Sequence, residues 1–200
     1  VVSQSMREKG LDYKVNFGIE LPRLKEIASK FEKNHDVAQA LWKENIRECK
    51  IVAGLLQPVD TFYPDIADIW VEDMRYPEIA ELTVMNLFQH LPYASEKAFE
   101  WIAREEPYFQ FCGYMLVARL LMKYGELNER AENELLDQVV PALSGESGFV
   151  FRAASTALRK YASQSKENAR KVRGVLISLP SSERPEVLSL LEETKILTES

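Results

Sequence analysis

The 200-residue sequence contains few cysteines and no long apolar stretch. Cys49 and Cys112 lie far apart among apolar residues at helical spacing, which excludes a disulfide framework and a cysteine metal motif. We expect both to be small buried hydrophobes. Leu116 to Met122 is among the longest apolar runs, and Arg119 interrupts it. A membrane span needs roughly 20 such residues, so we expect no membrane partner.

Motifs for metals, nucleotides and secretion are also missing. His35 and His90 have no second His or Cys at ligand spacing. The segment 142–148 contains two glycines but lacks the preceding strand and following lysine of a phosphate-binding loop. The first ten residues are polar and charged rather than apolar. We therefore expect no metal, no cofactor and a cytoplasmic location.

The sequence does contain enough apolar material for a core. Hydrophobic residues make up 46% and charged residues 28%, which is typical of a globular chain. This length favours one domain over two, so we predict a single domain over residues 1–200.

Helical periodicity runs through nearly the whole chain. Four periodic segments begin at prolines, which fit the first turn of a helix because its N–H groups have no partner there. We further predict N-caps at Asp36, Asn45 and Ser95, and a helix that begins at Asn128. The four prolines are Pro22, Pro64, Pro77 and Pro107.

The helices recur in pairs about every 35 to 40 residues, at 35–57, 60–90, 95–124 and 128–162, followed by a terminal pair. Short links make each pair an antiparallel hairpin. Stacked hairpins of this length predict an all-α, HEAT-like α-solenoid, in which the second helices line a ligand-binding groove. A compact helical bundle is the alternative fold.

Positive charge is concentrated in one segment. Residues 152–173 carry seven basic side chains against one acidic, although the whole chain has a net charge of −6. Seven phosphate contacts would give a salt slope of about −6. We predict that this segment binds nucleic acid, and the alternative is a solvated basic face. The predicted contacts are Arg152, Arg159, Lys160, Arg170, Lys171 and Arg173.

Four stretches resemble one known family. They are NFGIELPRLKEIASKF at 16–31, LWKENIRECKIVAGLL at 41–56, FQFCGYMLVARLL at 109–121 and FVFRAASTALRKYA at 149–162. Together they are similar to the AlkD-type DNA alkylation-repair glycosylases, which are HEAT-like solenoids. The resemblance implies a groove that binds duplex DNA. It also implies excision of cationic alkylpurines by an Asp, two Trp and an Arg, without base flipping.

The family's site residues are mostly replaced. Glu81 stands where the catalytic Asp would be, and a Pro occupies the first Trp position, although Tyr76 precedes it. Phe111 replaces the Arg, and Thr156 replaces the second Trp. We therefore predict a DNA-binding relative, on duplex or branched DNA, whose base excision is lost or reduced.

Two alternatives stay open from the sequence. One is a HEAT-like scaffold that binds a protein partner, which the acidic remainder of the chain would suit if that partner is basic. The other is an active alkylpurine glycosylase that uses Glu81 as its carboxylate and Tyr76 as its aromatic.

Overall fold

The computed structural model describes residues 16–180 and 182–199. The chain divides into two compact units, with the boundary between Tyr93 and Ala94. The single domain over residues 1–200 stays a prediction.

The first unit is helical. Helix α3 packs against α1, α2 and α5, so it is the centre of this unit. The helices are α1 (Leu21–Ala28), α2 (His35–Lys43), α3 (Arg47–Leu56), α4 (Pro64–Glu72) and α5 (Pro77–Asn86), followed by a 3₁₀ turn (Phe88–His90).

An aromatic stack forms the core of the first unit. The Trp42 and Trp70 rings lie parallel, with centroids 3.9 Å apart, which joins α2 to α4. Phe62 meets Trp70 edge-on at 4.8 Å, and all three side chains are buried. Aromatic pairs of this kind contribute about 0.5–1.5 kcal/mol beyond the burial of their area.

Two amide side chains, of buried Gln57 and half-buried Gln39, cross-link the same helices. Gln57 is fully buried and donates to the Pro58 carbonyl at 2.8 Å. Its amide nitrogen also lies 3.1 Å from Nδ1 of His35. Gln39 accepts from the Trp70 indole N–H at 3.1 Å and donates to Gln57 at 3.2 Å. Because the amide groups are satisfied, their burial is compatible with a stable core.

The second unit has two layers of helices. Helices α6, α8 and α10 form one layer, α7, α9 and α11 form the other, and successive pairs make hairpins. The bounds are α6 (Ala94–Ile102), α7 (Pro107–Tyr124), α8 (Glu129–Ser144), α9 (Gly148–Ala162), α10 (Lys166–Ser178) and α11 (Pro185–Glu199).

Helices α6 and α7 approach closely at one glycine. A Cβ on Gly113 would lie 2.7 Å from Ile102 Cγ2 and 2.9 Å from the Ala98 carbonyl. The absence of a side chain therefore sets the distance between the two helices. At the end of α7, Gly125 has a φ of 84°. Glycine adopts this left-handed conformation without steric cost, so the chain can turn away from the helix there.

The predicted helix starts at prolines are confirmed. Pro22 is the second residue of its helix, and each of the other three prolines is the first residue of its helix. The helix start at Asn128 is also confirmed, and its side chain caps α8 by accepting from the Ala131 N–H.

The Asp36, Asn45 and Ser95 caps are wrong. Ser95 is the second residue of α6, which begins at Ala94, so it lies inside the helix. Asn34 caps α2 instead of Asp36. It lies two residues before Asp36, directly in front of the first helical residue, and its side chain can also accept a backbone N–H. Helix α3 starts after Ile46 without a side-chain cap.

Candidate nucleic-acid interface

Helix α9 presents a polar stripe on its outer surface. Arg152, Thr156 and Arg159 follow one another at i, i+4 and i+7, so they share one face of the helix, with Lys160 beside them. Arg152, Arg159 and Lys160 are exposed. The opposite face carries small and apolar side chains that are buried, which fixes the orientation of the stripe.

Arg159 already has a carboxylate partner. Its guanidinium donates to Glu193 of α11 through two bonds, of 2.6 and 3.1 Å. The hydrogen bond from Arg159 lowers the pKa of Glu193. Both side chains are more than 40% exposed, at 45% and 42%, so water weakens the attraction. The pair can therefore exchange for a phosphate at little cost.

Lys171 and Arg173 on α10 are also engaged. Lys171 lies 2.6 Å from Glu132 and 3.3 Å from Glu167, and the bond to Glu132 raises the lysine pKa. Arg173 donates to the Leu191 carbonyl at 3.1 Å. These two cations link α10 to α8 and to α11, and are less available to a ligand.

The other three predicted contacts are different. Arg152, Lys160 and Arg170 are exposed, and none of the described residues gives their side chains a hydrogen bond or an ion pair. Lys166, in the first turn of α10, is also exposed and has no side-chain partner among the described residues. The structure thus separates the basic segment into cations with internal partners and cations available to a ligand.

Sequence reasoning missed Arg184, which lies outside the basic segment. Its guanidinium donates to the carbonyls of Leu143 and Gly145, at 3.1 and 3.2 Å, and lies 5.1 Å from the Phe151 ring centroid. These contacts bring it to a cavity of about 710 Å³ that Arg152 and Arg159 also line. The only sequence signal was its position directly before the helix-opening Pro185.

The two predicted excision residues lie in the first unit. Tyr76 precedes α5 and lines a cavity of about 250 Å³ together with Lys43, Lys50 and Ile79. Glu81 is exposed on α5 and is not among the residues lining that cavity. The structure therefore does not bring Glu81 and Tyr76 together in one cleft.

The two positions that replace the family's Arg and second Trp have local roles. Phe111 is buried, with its ring 5.7 Å from that of Phe149. The Thr156 hydroxyl donates to the Arg152 carbonyl at 2.8 Å. Neither side chain offers the charge or the aromatic face that the resemblance implies for its position.

The stretch 41–56, one of the four that carry the family resemblance, contributes a buried charged network to the first unit. Glu48 is buried and accepts the N–H groups of Phe17 and Ile19, both at 3.2 Å. Arg47 is also buried and binds Glu78 through two bonds, of 2.9 and 2.6 Å, and Glu48 at 3.2 Å. This network holds the segment before α1 against α3 and α5.

Thiol and metal chemistry have little basis in the described residues. Burial raises the pKa of Cys112 and, with Glu44 and Glu48, that of Cys49, so both favour the neutral thiol. No group of three His, Cys, Asp or Glu side chains within residues 16–180 and 182–199 is arranged to hold a metal ion.

Comparison with a family of known proteins identifies the chain. Residues 3–173 match the model of the DNA alkylation repair enzyme family. The chain belongs to this family. Among curated proteins, none matches it. In the parts that the structure describes, no helix has the length and apolarity needed to cross a membrane.

A solved structure shares the fold of this DNA alkylation repair family member. It is described as one of a new family of proteins related to the HEAT-like repeat DNA glycosylases with affinity for branched DNA structures. The TM-score is 0.79 at 15% identity, over 98% of this chain and 89% of the other. The predicted family and the all-α, HEAT-like solenoid are both confirmed.

Proposed function

We propose that this protein binds DNA through the exposed cations of α9 and α10, and that its base-excision activity is lost or reduced. The observation that carries the proposal is a set of exposed basic side chains that have no partner within residues 16–180 and 182–199, Arg152, Lys160 and Arg170, in a chain of net charge −6. Unpartnered cations on one segment suit contacts to the sugar–phosphate backbone, which position a protein on DNA without reading its sequence.

In this proposal, the DNA that the protein binds most tightly is branched or distorted. The protein with the same fold comes from a family described as having affinity for branched DNA structures. Backbone contacts from a few dispersed cations do not depend on base identity, which fits recognition by DNA shape rather than by sequence.

Reduced excision is supported by the positions that resemblance assigns to catalysis. Glu81 is exposed and lies apart from the cavity that Tyr76 lines. Phe111 is packed in the core, and Thr156 bonds to its own helix. A carboxylate that is displaced by 1 Å or more can lower a rate by around 10²-fold.

The binding test is fluorescence anisotropy with plain, alkylated and four-way branched DNA of matched sequence. Reversing two cations, in a Lys160→Glu/Arg170→Glu variant, should weaken binding to every DNA by tenfold or more and make the salt slope shallower by about 2. The control is Lys25→Glu/Lys33→Glu, which makes the same change in net charge on exposed first-unit lysines. Equal loss in both variants would contradict the proposed surface.

The excision test uses duplex DNA that contains N7-methylguanine, with release of the base as the readout. We expect little or no release, and no change in Glu81→Gln. Release by the unaltered protein that Glu81→Gln abolishes would replace this proposal with the active glycosylase.

A protein-interaction scaffold is the remaining alternative. Absence of DNA binding even at low salt would favour it, because the cations of α9 and α10 would then be only a solvated surface. The cytoplasmic location stays a prediction.

A further inference from the structure

A cavity with an excess of positive charge opens between α9 and α11. Its volume is about 710 Å³, which lies within the range of small-molecule sites. Gly148 and Pro185, the first residues of the two helices, both line it. The positive ends of two helix dipoles therefore meet at this cavity, which we call the Arg152 pocket.

The side chains of the Arg152 pocket add to that field. Three guanidinium groups line it, those of Arg152, Arg159 and Arg184, against the single carboxylate of Glu186. Glu186 lies 3.9 Å from Nε of Arg184, so it offsets only part of this charge. Glu193 lies outside the lining but binds Arg159, so the three guanidinium groups face two carboxylates and the pocket keeps a net excess of one positive charge, which favours an anionic ligand.

Two of the arginines are fixed in place and one is free. Arg184 is held by the Leu143 and Gly145 carbonyls, and Arg159 is held by Glu193. Arg152 has no side-chain partner among the described residues. A ligand would therefore find two arginines already held in place and one guanidinium, that of Arg152, with no competing partner among the described residues.

A buried hydroxyl gives an independent indication of a ligand. Ser155 lines the pocket and is 2% exposed, and its Oγ has no hydrogen-bond partner within the described residues. An unsatisfied buried hydroxyl costs about 1–3 kcal/mol, so such groups are uncommon where nothing binds. An oxygen of a bound anion would accept its proton.

We propose that the Arg152 pocket binds the terminal phosphate monoester of a DNA strand. This inference rests on the proposed function. A monoester carries about −1.5 to −2 charges at pH 7, since its second pKa is near 6, whereas an internal diester carries one. A pocket of net positive charge attracts the more negative monoester more strongly, and the monoester also offers three acceptor oxygens, so the Arg152 pocket suits a strand end better than a continuous strand.

The test compares branched DNA with strand ends that carry a 5′-phosphate, a 3′-phosphate or only hydroxyls. We expect one phosphorylated end to bind about tenfold more tightly than the hydroxyl end, which is the effect of one charge-assisted hydrogen bond. Arg152→Gln should remove this preference, Ser155→Ala should reduce it, and acidification through pH 6 should weaken it. Lys195→Gln, an exposed cation of α11 outside the pocket, should leave it unchanged.

A titration with inorganic phosphate and a nucleoside monophosphate separates this inference from the proposed function. NMR shifts of residues 148–159 that saturate in the unaltered protein and disappear in Arg152→Gln support the pocket, even if no DNA binds. If DNA binds through Lys160 and Arg170 but strand-end phosphates make no difference and free phosphate causes no shifts, the pocket proposal is overturned alone.

Discussion

Helix α3 of the first unit and helix α9 of the second place cationic side chains of the same types in opposite surroundings. In the first, Arg47 and Lys50 are buried, and each has a carboxylate and a backbone carbonyl as partners. In the second, Arg152 and Lys160 are exposed and have no partner among the described residues. The comparison teaches that burial and partners, more than residue type, separate structural cations from candidate binding cations.

The first unit shows why a buried cation is structural. Burial disfavours the charge of Arg47, but hydrogen bonds to Glu78 and Glu48 outweigh it and raise the arginine pKa. Lys50 lies 2.7 Å from Asp73 and 4.5 Å from the Trp42 ring centroid. If either side chain left these partners for a phosphate, a buried carboxylate or carbonyl would remain without its hydrogen-bond donor.

The largest predicted effect concerns that buried network. Arg47→Met leaves Glu48 buried without its guanidinium and releases Glu78, so we expect a loss of about 3 kcal/mol in the free energy of unfolding. Urea denaturation followed by circular dichroism measures it. DNA affinity of the folded fraction should not change.

The control for Arg47 is Arg23→Met, which removes an exposed i,i+3 pair with Glu26 and should change stability by less than about 0.5 kcal/mol. Equal effects of the two substitutions would contradict the distinction between buried and exposed cations.

Close packing in the second unit predicts the next largest effect. Gly113→Ala places a Cβ against Ile102 and the Ala98 carbonyl and should destabilise the protein by about 1–3 kcal/mol. Gly174→Ala on α10 meets open space and should stabilise it by about 0.5–1 kcal/mol. Thermal unfolding of both variants measures the contrast, and effects of the same sign would argue against the observed approach of α6 and α7.

Adjacent cations on α10 sharpen the comparison within one helix. Arg170 has no side-chain partner in the part of the chain that the structure describes, whereas Lys171 is held by Glu132 and Glu167. Arg170→Gln should weaken DNA binding about fivefold, or about 1 kcal/mol, and Lys171→Gln less than twofold. Anisotropy at one salt concentration decides this, and the reverse order would show that internal partners do not determine availability.

The smallest effect concerns the Arg159–Glu193 pair. Glu193→Gln should tighten DNA binding about twofold to threefold, because it frees Arg159 and removes a nearby negative charge. Unfolding free energy should fall by no more than about 0.5 kcal/mol. Weaker DNA binding by this variant would mean that Glu193 orients Arg159 for its ligand.

The sign of the pH dependence follows from the pKa of Glu193, which Arg159 lowers from about 4.5. The pair stabilises the fold above that ordinary value and loses its contribution as pH falls through the lower folded pKa. Between pH 5 and pH 8 this pair should therefore leave stability unchanged, which urea titrations at each pH can measure.

The sequence predicted most of the helices and part of the interface. Helical periodicity and first-turn prolines are local, so α7 begins at Pro107 as expected. Net charge located the basic segment but could not show that Glu193 and Glu132, far from it along the chain, occupy Arg159 and Lys171. Arg184 was missed for the same reason, because only the fold brings it beside Arg152.

The most direct measurement is the salt dependence of binding to branched DNA by the unaltered protein. Within the basic segment at 152–173, four exposed cations have no side-chain partner among the described residues, Arg152, Lys160, Lys166 and Arg170, so we predict saturable binding with a log–log slope of about −3 to −4. A slope near −6 would mean that the internally paired cations also bind phosphate. Absence of saturable binding at low salt would contradict DNA binding by this surface.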